Sequence, residues 1–229
     1  MNFNKFPFGL PEKERDGIQV TRILRRSFEL QAQNNVSNAC GFVNIILMRC
    51  FEASEIEVQS VYGTVDLCGL QMPHVWLRIH DHIVDNTYCE DIPTDMFIMM
   101  KEGAKYGDEI RESQLYLGDQ VTQNAGIDDH NIRIFQWMLR PENSQKCLHL
   151  LKNKIQLRRY FEEMCIFMKK QFGIDIPEVT YKKCWACEKI GDDFKVCGKC
   201  KIAKYCSRNC QRNDWKQLHK EICLAPNSW

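Results

Sequence analysis

Four pairs of metal-ligand side chains lie between residues 184 and 223, and each pair has a short internal spacing. The pairs are Cys184-x2-Cys187, Cys197-x2-Cys200, Cys206-x3-Cys210 and His219-x3-Cys223. Such a spacing lets a tight turn or one helical turn aim two ligands at one ion, and Zn²⁺ prefers four thiolate or imidazole ligands in a tetrahedron. The eight side chains therefore predict two closed sites for two Zn²⁺. Because so short a segment has little hydrophobic core, we expect metal binding to supply most of its folding free energy.

Cysteine usage separates this segment from the rest of the chain. It contains seven of the thirteen cysteines, and the other six are scattered at Cys40, Cys50, Cys68, Cys89, Cys147 and Cys165. The first thirty residues mix Lys and Arg with acids, so no secretory signal is expected. No apolar run approaches the ~18 residues of a membrane span. We therefore expect reduced thiols and an intracellular location, in either the cytoplasm or the nucleus.

The identities of the residues around these ligands also form a pattern. Tyr205-Cys206, Cys210-Gln211, and Trp215 with His219 and Cys223 closely resemble the MYND zinc finger over about residues 184–223. The resemblance implies interleaved ligation of two Zn²⁺, with one ion held by Cys184, Cys187, Cys206 and Cys210 and the other by Cys197, Cys200, His219 and Cys223. It also implies that Gln211 and Trp215 border a groove for a protein partner, specifically a proline-containing peptide. In the alternative, Trp215 only packs the last helix onto the metal-binding turns.

Charge is distributed as unevenly as cysteine. From residue 182 onward eleven Lys and Arg face five Asp and Glu, a surplus of +6 in a chain whose net charge is +1, so the preceding residues carry −5. Two Zn²⁺ with seven thiolates add −3 and reduce the surplus to +3. That surplus is small for a protein that tracks a phosphate backbone. A protein partner is therefore favoured over nucleic acid.

Cys40, His74 and Asp85 have the side-chain types needed for thiol chemistry. A catalytic cysteine needs a lowered pKa, which a helix N-terminus and a neighbouring imidazolium provide, and the imidazole needs a carboxylate that fixes its tautomer. Cys40 is predicted one or two residues inside a helix capped by Ser37 or Asn38. The sequence therefore permits a Cys-His-Asp site if the fold brings the three side chains together.

A hairpin register decides whether His74 and Asp85 can meet. Residues 74–79 and 82–88 predict two strands that turn at His80 and Asp81, so that facing positions sum to 161. Asp85 then faces Trp76, and His74 is its diagonal neighbour on the same face, roughly 7–8 Å away. A turn longer by one residue would move Asp85 to the other face.

The segments Asn38-Ala-Cys40-Gly, His74-Val-Trp76 and Val84-Asp85-Asn-Thr87 resemble the transglutaminase-like branch of papain-fold thiol enzymes over about residues 35–90. The resemblance implies that Cys40 attacks an amide carbonyl, His74 transfers the proton and Asp85 orients the imidazole. The interval between His74 and Asp85 is compact, and no oxyanion donor is evident upstream of Cys40, although Gln31 and Gln33 have suitable chemistry. Some family members are inactive, so whether the chain is an enzyme stays open.

Two alternatives use the same residues differently. In the first, Cys40 is a small core residue, His74 and Asp85 are structural, and the chain is a non-catalytic adaptor whose finger does the recognition. In the second, His74, His80 and His82 bind a metal ion on the hairpin.

Hydrophobic periodicity predicts helices and strands in an α+β fold, with a buried helix bearing Cys40. The thiol-enzyme resemblance implies that this helix packs on an antiparallel sheet. Residues 11–33 and a segment beginning near residue 38 predict helices, residues 56–63 predict a strand, and residues 69–73 predict a break. Helical patches are predicted at residues 95–105 and 131–139, and one long amphipathic helix at residues 144–172. We therefore expect a body at residues 1–140, an amphipathic helix and linker at 141–180, and a zinc finger at 181–224.

Overall fold

The computed structural model describes residues 15–37, 39–67, 70–79, 82–86, 97–101, 115–117, 134, 136–138, 140–177 and 182–223, and the statements below concern these residues. Helices flank one antiparallel sheet, and a small segment with two short strands follows. The α+β class expected from the sequence agrees with this arrangement. No described helix is both long and apolar enough to cross a membrane.

Two helices precede the sheet: α1 spans Arg15–Gln33 and α2 spans Cys40–Ala53. α2 is apolar on nearly all sides, and residues such as Val43, Ile46 and Leu47 are fully buried in it. Its hydrogen bonding starts where Val43 N donates to Ala39 O, so the N-cap is Ala39, which makes no side-chain capping bond. The predicted cap at Ser37 is therefore wrong, and the alternative cap, Asn38, lies outside the described residues.

The sheet has five described strands in the order β4-β3-β2-β1-β5, and all neighbours are antiparallel. The strands are β1 Gln59–Leu67, β2 Leu70–Ile79, β3 His82–Asn86, β4 Phe97–Lys101 and β5 Leu115–Leu117. Leu77 pairs with Val84, and Ile79 pairs with His82. These positions sum to 161, which confirms the predicted register of the β2–β3 hairpin.

Three sequence predictions about the sheet are wrong in detail. The first strand begins at Gln59 rather than residue 56, and β2 continues through the predicted break, where Pro73 pairs with Thr64. The predicted helical patch at residues 95–105 contains β4, which pairs with β3. The run Phe-Ile-Met-Met-Lys is too short for its periodicity to distinguish a strand from a helix, and the open edge of β3 decides the outcome.

The predicted long helix at residues 144–172 is two helices. α3 spans Pro141–Leu150, a 3₁₀ turn spans Leu151–Asn153, and α4 spans Ile155–Phe172. Lys154 separates them with an extended backbone at φ −115° and ψ 91°. α4 ends at Gly173, whose φ of +71° lies in the left-handed region that glycine adopts without strain. Of the other predicted helical patch, residues 134 and 136–138 are helical.

The hydrophobic core lies between α1, α2, α4 and the sheet, and a buried polar network crosses it. Ser27 Oγ donates to Asn86 Oδ1 at 2.6 Å and lies 2.6 Å from Tyr160 Oη. Gln31 Nε2 donates to Asn86 O at 2.7 Å, and Asn86 Nδ2 donates to Leu24 O at 2.9 Å. Buried polar groups that satisfy one another hold a core in one arrangement. This network fixes the end of β3, one residue beyond Asp85.

The finger, residues 182–223, packs against α3 and the 3₁₀ turn. Its strands are β6 Lys195–Val196 and β7 Lys204–Tyr205, and its helices are α5 Arg208–Asp214, a π-helical turn Trp215–His219 and α6 Lys220–Ile222. Leu150 of α3 belongs to the finger's core. Lys146 Nζ donates to Trp185 O at 3.0 Å, and Asn153 Nδ2 donates to Cys200 O at 2.8 Å. The finger is thus joined to the helix before it by buried contacts as well as by the chain.

Candidate metal centre and thiol site

The eight predicted metal-ligand side chains form two separate groups in the finger. Within each group the ligand atoms all lie within 4.8 Å of one another. One group consists of Cys184, Cys187, Cys206 and Cys210, and the other of Cys197, Cys200, His219 and Cys223. These are the interleaved groups that the MYND resemblance implied.

The distances within both groups fit a tetrahedral zinc site. Zn–S bonds of about 2.3 Å in a tetrahedron place two sulfur atoms about 3.8 Å apart. The Sγ atoms of Cys206 lie 3.6 Å from Cys187 and 3.5 Å from Cys210. In the second group, Cys197 Sγ lies 3.8 Å from Cys223 Sγ, and Cys200 Sγ lies 3.7 Å from His219 Nε2. All four separations are close to the tetrahedral value, so the two sets of ligand atoms fit zinc. The sulfur–sulfur separations are also far longer than a disulfide bond of about 2.05 Å.

Local backbone structure points the ligands inward. Glu188 and Lys201, each the residue after a Cys-x2-Cys pair, have φ of 58° and 57° and turn the chain sharply. Ala203 N donates to Cys200 Sγ at 3.4 Å. Ser207 is the N-cap of α5, and its Oγ accepts a hydrogen bond from Cys210 N at 3.1 Å. This cap fixes the backbone of Cys210, the fourth ligand of the first group.

His219 is fully buried among three aromatic rings. The ring centroids of Trp185, Tyr205 and Trp215 lie 5.6, 5.9 and 5.7 Å from that of the imidazole. Tyr205 Oη donates to Asp214 Oδ2 at 2.6 Å, and that carboxylate oxygen lies 4.0 Å from His219 Nδ1. The aromatic rings thus fix the orientation of the imidazole, with Nε2 toward the cysteine ligands.

These observations define a class of small finger that is closed by two Cys/His zinc sites rather than by a large core. In agreement with that class, residues 184–223 match the family model of the MYND finger. The match together with the two clusters implies zinc binding, and MYND fingers generally mediate protein interactions. It covers forty of the 229 residues and does not extend into the body. No solved structure matches the chain.

Gln211 and Trp215 both line a concave surface on the finger. The cavity has a volume of about 460 Å³ and lies between the turn at residues 197–199 and one face of α5. Trp215 is half-buried: it contacts the finger's core and also lines the cavity. The groove role and the packing role considered for this residue are therefore compatible.

His74 and Asp85 are in direct contact inside the body. His74 Nε2 lies 2.7 Å from Asp85 Oδ2, and the residues are 5% and 0% exposed. The hairpin register makes them diagonal neighbours, as the strand parity predicted. The ring of Trp76 stacks near His74, with centroids 6.4 Å apart and an interplanar angle of 25°.

Cys40, the first residue of α2, is held beside this pair. Asn44 Nδ2 donates to Cys40 O at 2.7 Å and to Val75 O at 3.0 Å, which ties the start of α2 to β2 next to His74. Asn44 was not predicted as part of this site. The sequence indication was that a polar residue interrupts the apolar run from Phe42 to Met48.

The electrostatics of His74 favour its protonated form. Burial lowers the pKa of His74, but electrostatic interactions and hydrogen bonds with Asp85 and Cys40 outweigh burial and raise that pKa well above its usual value. Burial instead raises the pKa of the Cys50 and Cys147 thiols, and it raises that of Cys165 to about 11. Of these four cysteines, Cys40 is the one paired with an imidazole.

A cavity of about 620 Å³ opens beside Cys40. Its walls come from the start of α2, the residues before it, the helical residues near 134–138 and the start of α4. The lining side chains include Val36, Phe42, Ile134, Met138, Leu157 and Lys154. Lys154 Nζ lies 5.2 Å from the centre of the Phe42 ring. Burial lowers the pKa of Lys154 to about 8. A largely apolar space with one cation therefore adjoins the thiol.

Two further candidates have different outcomes. Gln31, one possible oxyanion donor, is fully buried and uses its amide nitrogen to hold Asn86, whereas Gln33 is exposed. The three-histidine metal site is untested, because His80 and the side chain of His82 lie outside the described residues.

Proposed function

We propose that the finger binds two Zn²⁺ through its two four-ligand groups and recognises a proline-containing segment of a partner protein in the groove lined by Gln211 and Trp215. The observation that carries this proposal is the cavity of about 460 Å³ between the 197–199 turn and α5. An indole face that is half-exposed beside a side-chain amide offers proline an apolar platform next to a hydrogen-bonding group. Reduced zinc-binding thiolates support a location inside the cell, in either the cytoplasm or the nucleus.

Replacement of Trp215 tests the groove. Trp215→Ala should weaken the binding of a fluorescein-labelled proline-containing peptide to the full chain, measured by fluorescence anisotropy, while the zinc content stays unchanged. Ile190→Ala is the matched control, because Ile190 is an apolar finger residue that is 74% exposed and does not line the groove. Equal affinities of Trp215→Ala and the wild type would remove this residue from the peptide site.

We propose as a second function that the body performs thiol chemistry at an amide carbonyl. The buried contact of 2.7 Å between His74 and Asp85, beside Cys40 and its cavity, carries this proposal. His74 accepts the thiol proton, Cys40 attacks the carbonyl carbon as a thiolate, and His74 returns the proton to the amine as the C–N bond breaks. The thioester left on Cys40 is then cleaved by water or by an acceptor amine, which restores the thiol. Asp85 holds the imidazole and stabilises its positive charge. Under this proposal residues 1–140 are a transglutaminase-like body, residues 141–180 link it to the finger, and the finger is residues 181–224.

Alkylation rates distinguish this enzyme from the adaptor alternative, in which the body is only a scaffold. Iodoacetamide should label Cys40 much faster than Cys50, Cys147 or Cys165 near pH 7, because the imidazolium stabilises the Cys40 thiolate. Peptide mass spectrometry gives the rate for each site. His74→Asn should abolish the preference for Cys40, and circular dichroism checks that this variant is folded. Equal labelling of all four thiols in the wild type would favour the adaptor.

A further inference from the structure

We propose that the finger's groove selects an acidic peptide, so that the proline-containing partner segment carries Asp or Glu beside its proline. The basic groove is the cavity lined by Cys197, Gly198, Lys199, Arg208, Gln211, Arg212 and Trp215. This inference rests on the proposed peptide-binding function and adds the chemical class of the partner. It concerns charge, whereas the Trp215 experiment concerns the position of the site.

The lining of the basic groove has an excess of positive charge. Three of its seven residues are cations and none is acidic. Arg208 and Arg212 are four positions apart on α5 and therefore share one face of that helix, and both are exposed. Lys199, on the facing turn, is also exposed. The cations thus stand on both sides of the cavity that Trp215 lines.

These cations have no acidic partner among the residues that the structure describes. The ion pairs of the finger are elsewhere: Glu188 pairs with Lys146 at 2.7 Å and approaches Lys183 at 3.9 Å. Asp214, the acid nearest to Arg212 in sequence, accepts a hydrogen bond from Tyr205. A ligand carboxylate in the groove would therefore meet guanidinium and ammonium groups that no described acid neutralises.

The residues that line the groove offer binding groups for both proline and an acidic side chain. Arginine forms paired N–H···O bonds with a carboxylate, and both arginines line the same cavity as Trp215. At Gly198 a Cβ atom would meet nothing within 4 Å, so the backbone of the facing turn is open to a ligand. A peptide can then place its proline on the indole and an adjacent carboxylate on Arg208 or Arg212.

A nucleic acid is the less suitable occupant. Three cations neutralise few phosphates, and the metal-bound finger has a surplus of only about +3. Stacking of successive bases needs several exposed aromatic rings along a charged track. Among the residues that the structure describes, Trp215 is the one aromatic residue lining this groove.

Two labelled peptides of equal length test the inference on the zinc-loaded full chain. Both contain one proline, and the first carries four Glu where the second carries four Gln. The Glu peptide should bind more tightly in low salt, and the difference should largely vanish near 1 M salt, where the Debye length is about 3 Å. The double variant Arg208→Gln/Arg212→Gln should bind the Glu peptide about fivefold more weakly, with a much smaller change for the Gln peptide.

The double variant Lys216→Gln/Lys220→Gln is the matched control, since it removes the same charge from exposed positions nearby that do not line the groove. It should reduce affinity for the Glu peptide much less than the arginine variant does. Equal losses in the two variants, or equal wild-type affinity for the two peptides, would overturn the inference. If Trp215→Ala still weakens both peptides in that case, the groove stands and only its acidic preference is wrong. Binding of a single-stranded oligonucleotide more tightly than the Glu peptide, lost with Arg208 and Arg212, would also overturn it.

Discussion

Removal of either partner of the buried His74–Asp85 pair should destabilise the body, and the two losses should differ in size. Both side chains are nearly inaccessible, and their atoms lie 2.7 Å apart. His74→Ala leaves a carboxylate buried without its histidine partner and should lower the free energy of unfolding by about 3–5 kcal/mol. Asp85→Ala leaves an imidazole that can release its proton and become neutral, so the loss should be about 1–3 kcal/mol.

A double-mutant cycle measured by urea unfolding at pH 7 tests this reasoning. The double variant has neither charge, so its loss should be smaller than the sum of the two single losses, by about 0.5–3 kcal/mol. Gln59→Ala, at an exposed position on β1, is the control and should leave the free energy of unfolding nearly unchanged. Equal single losses that add to within about 0.3 kcal/mol would refute the pair as an energetic unit.

Three further predictions concern pH, the finger interface and the metal. The pKa of His74 is raised in the folded state, so protonation of His74 contributes stability. That contribution is fully present below the unfolded pKa of about 6.5 and is lost as pH rises through the folded pKa. Urea unfolding across pH 6–9 should show this loss of stability in the wild type and not in His74→Ala. Asn153→Ala removes the donor to Cys200 O and should lower the free energy of unfolding by about 1–3 kcal/mol, whereas Lys152→Ala, at an exposed neighbour, should change it by less than about 0.5 kcal/mol. Chelation of zinc should increase hydrogen exchange throughout residues 182–223, and slow exchange in that segment without metal would show that it folds on its core alone.

The sequence predicted those features that depend on short-range rules. The eight metal-ligand side chains follow from spacings of two and three residues, whereas their division into two interleaved groups was implied by the MYND resemblance. The β2–β3 register follows from a two-residue turn and the alternation of side chains. The contact between His74 and Asp85 followed from that register. Ligand spacing, strand register and this contact all depend on local geometry.

Features that depend on distant parts of the chain could not be predicted in the same way. β4 is a strand because β3 offers it an edge, and the helix predicted through residue 154 breaks where Asn153 bonds to the finger. Asn44 gains its role only when β2 lies beside α2. Tertiary contacts decide these outcomes, and a pattern within one segment does not contain them.

Two interleaved sites for zinc define the finger, and the partner proposal depends on them. Native mass spectrometry of the full chain tests these sites most directly, by comparing the wild type with Cys210→Ser. The wild type should carry two zinc ions, and the variant should keep one, because the group of Cys197, Cys200, His219 and Cys223 does not include Cys210. A wild-type chain that is folded in the finger and carries no zinc, or a Cys210→Ser variant that still carries two zinc ions, would contradict this arrangement of ligands.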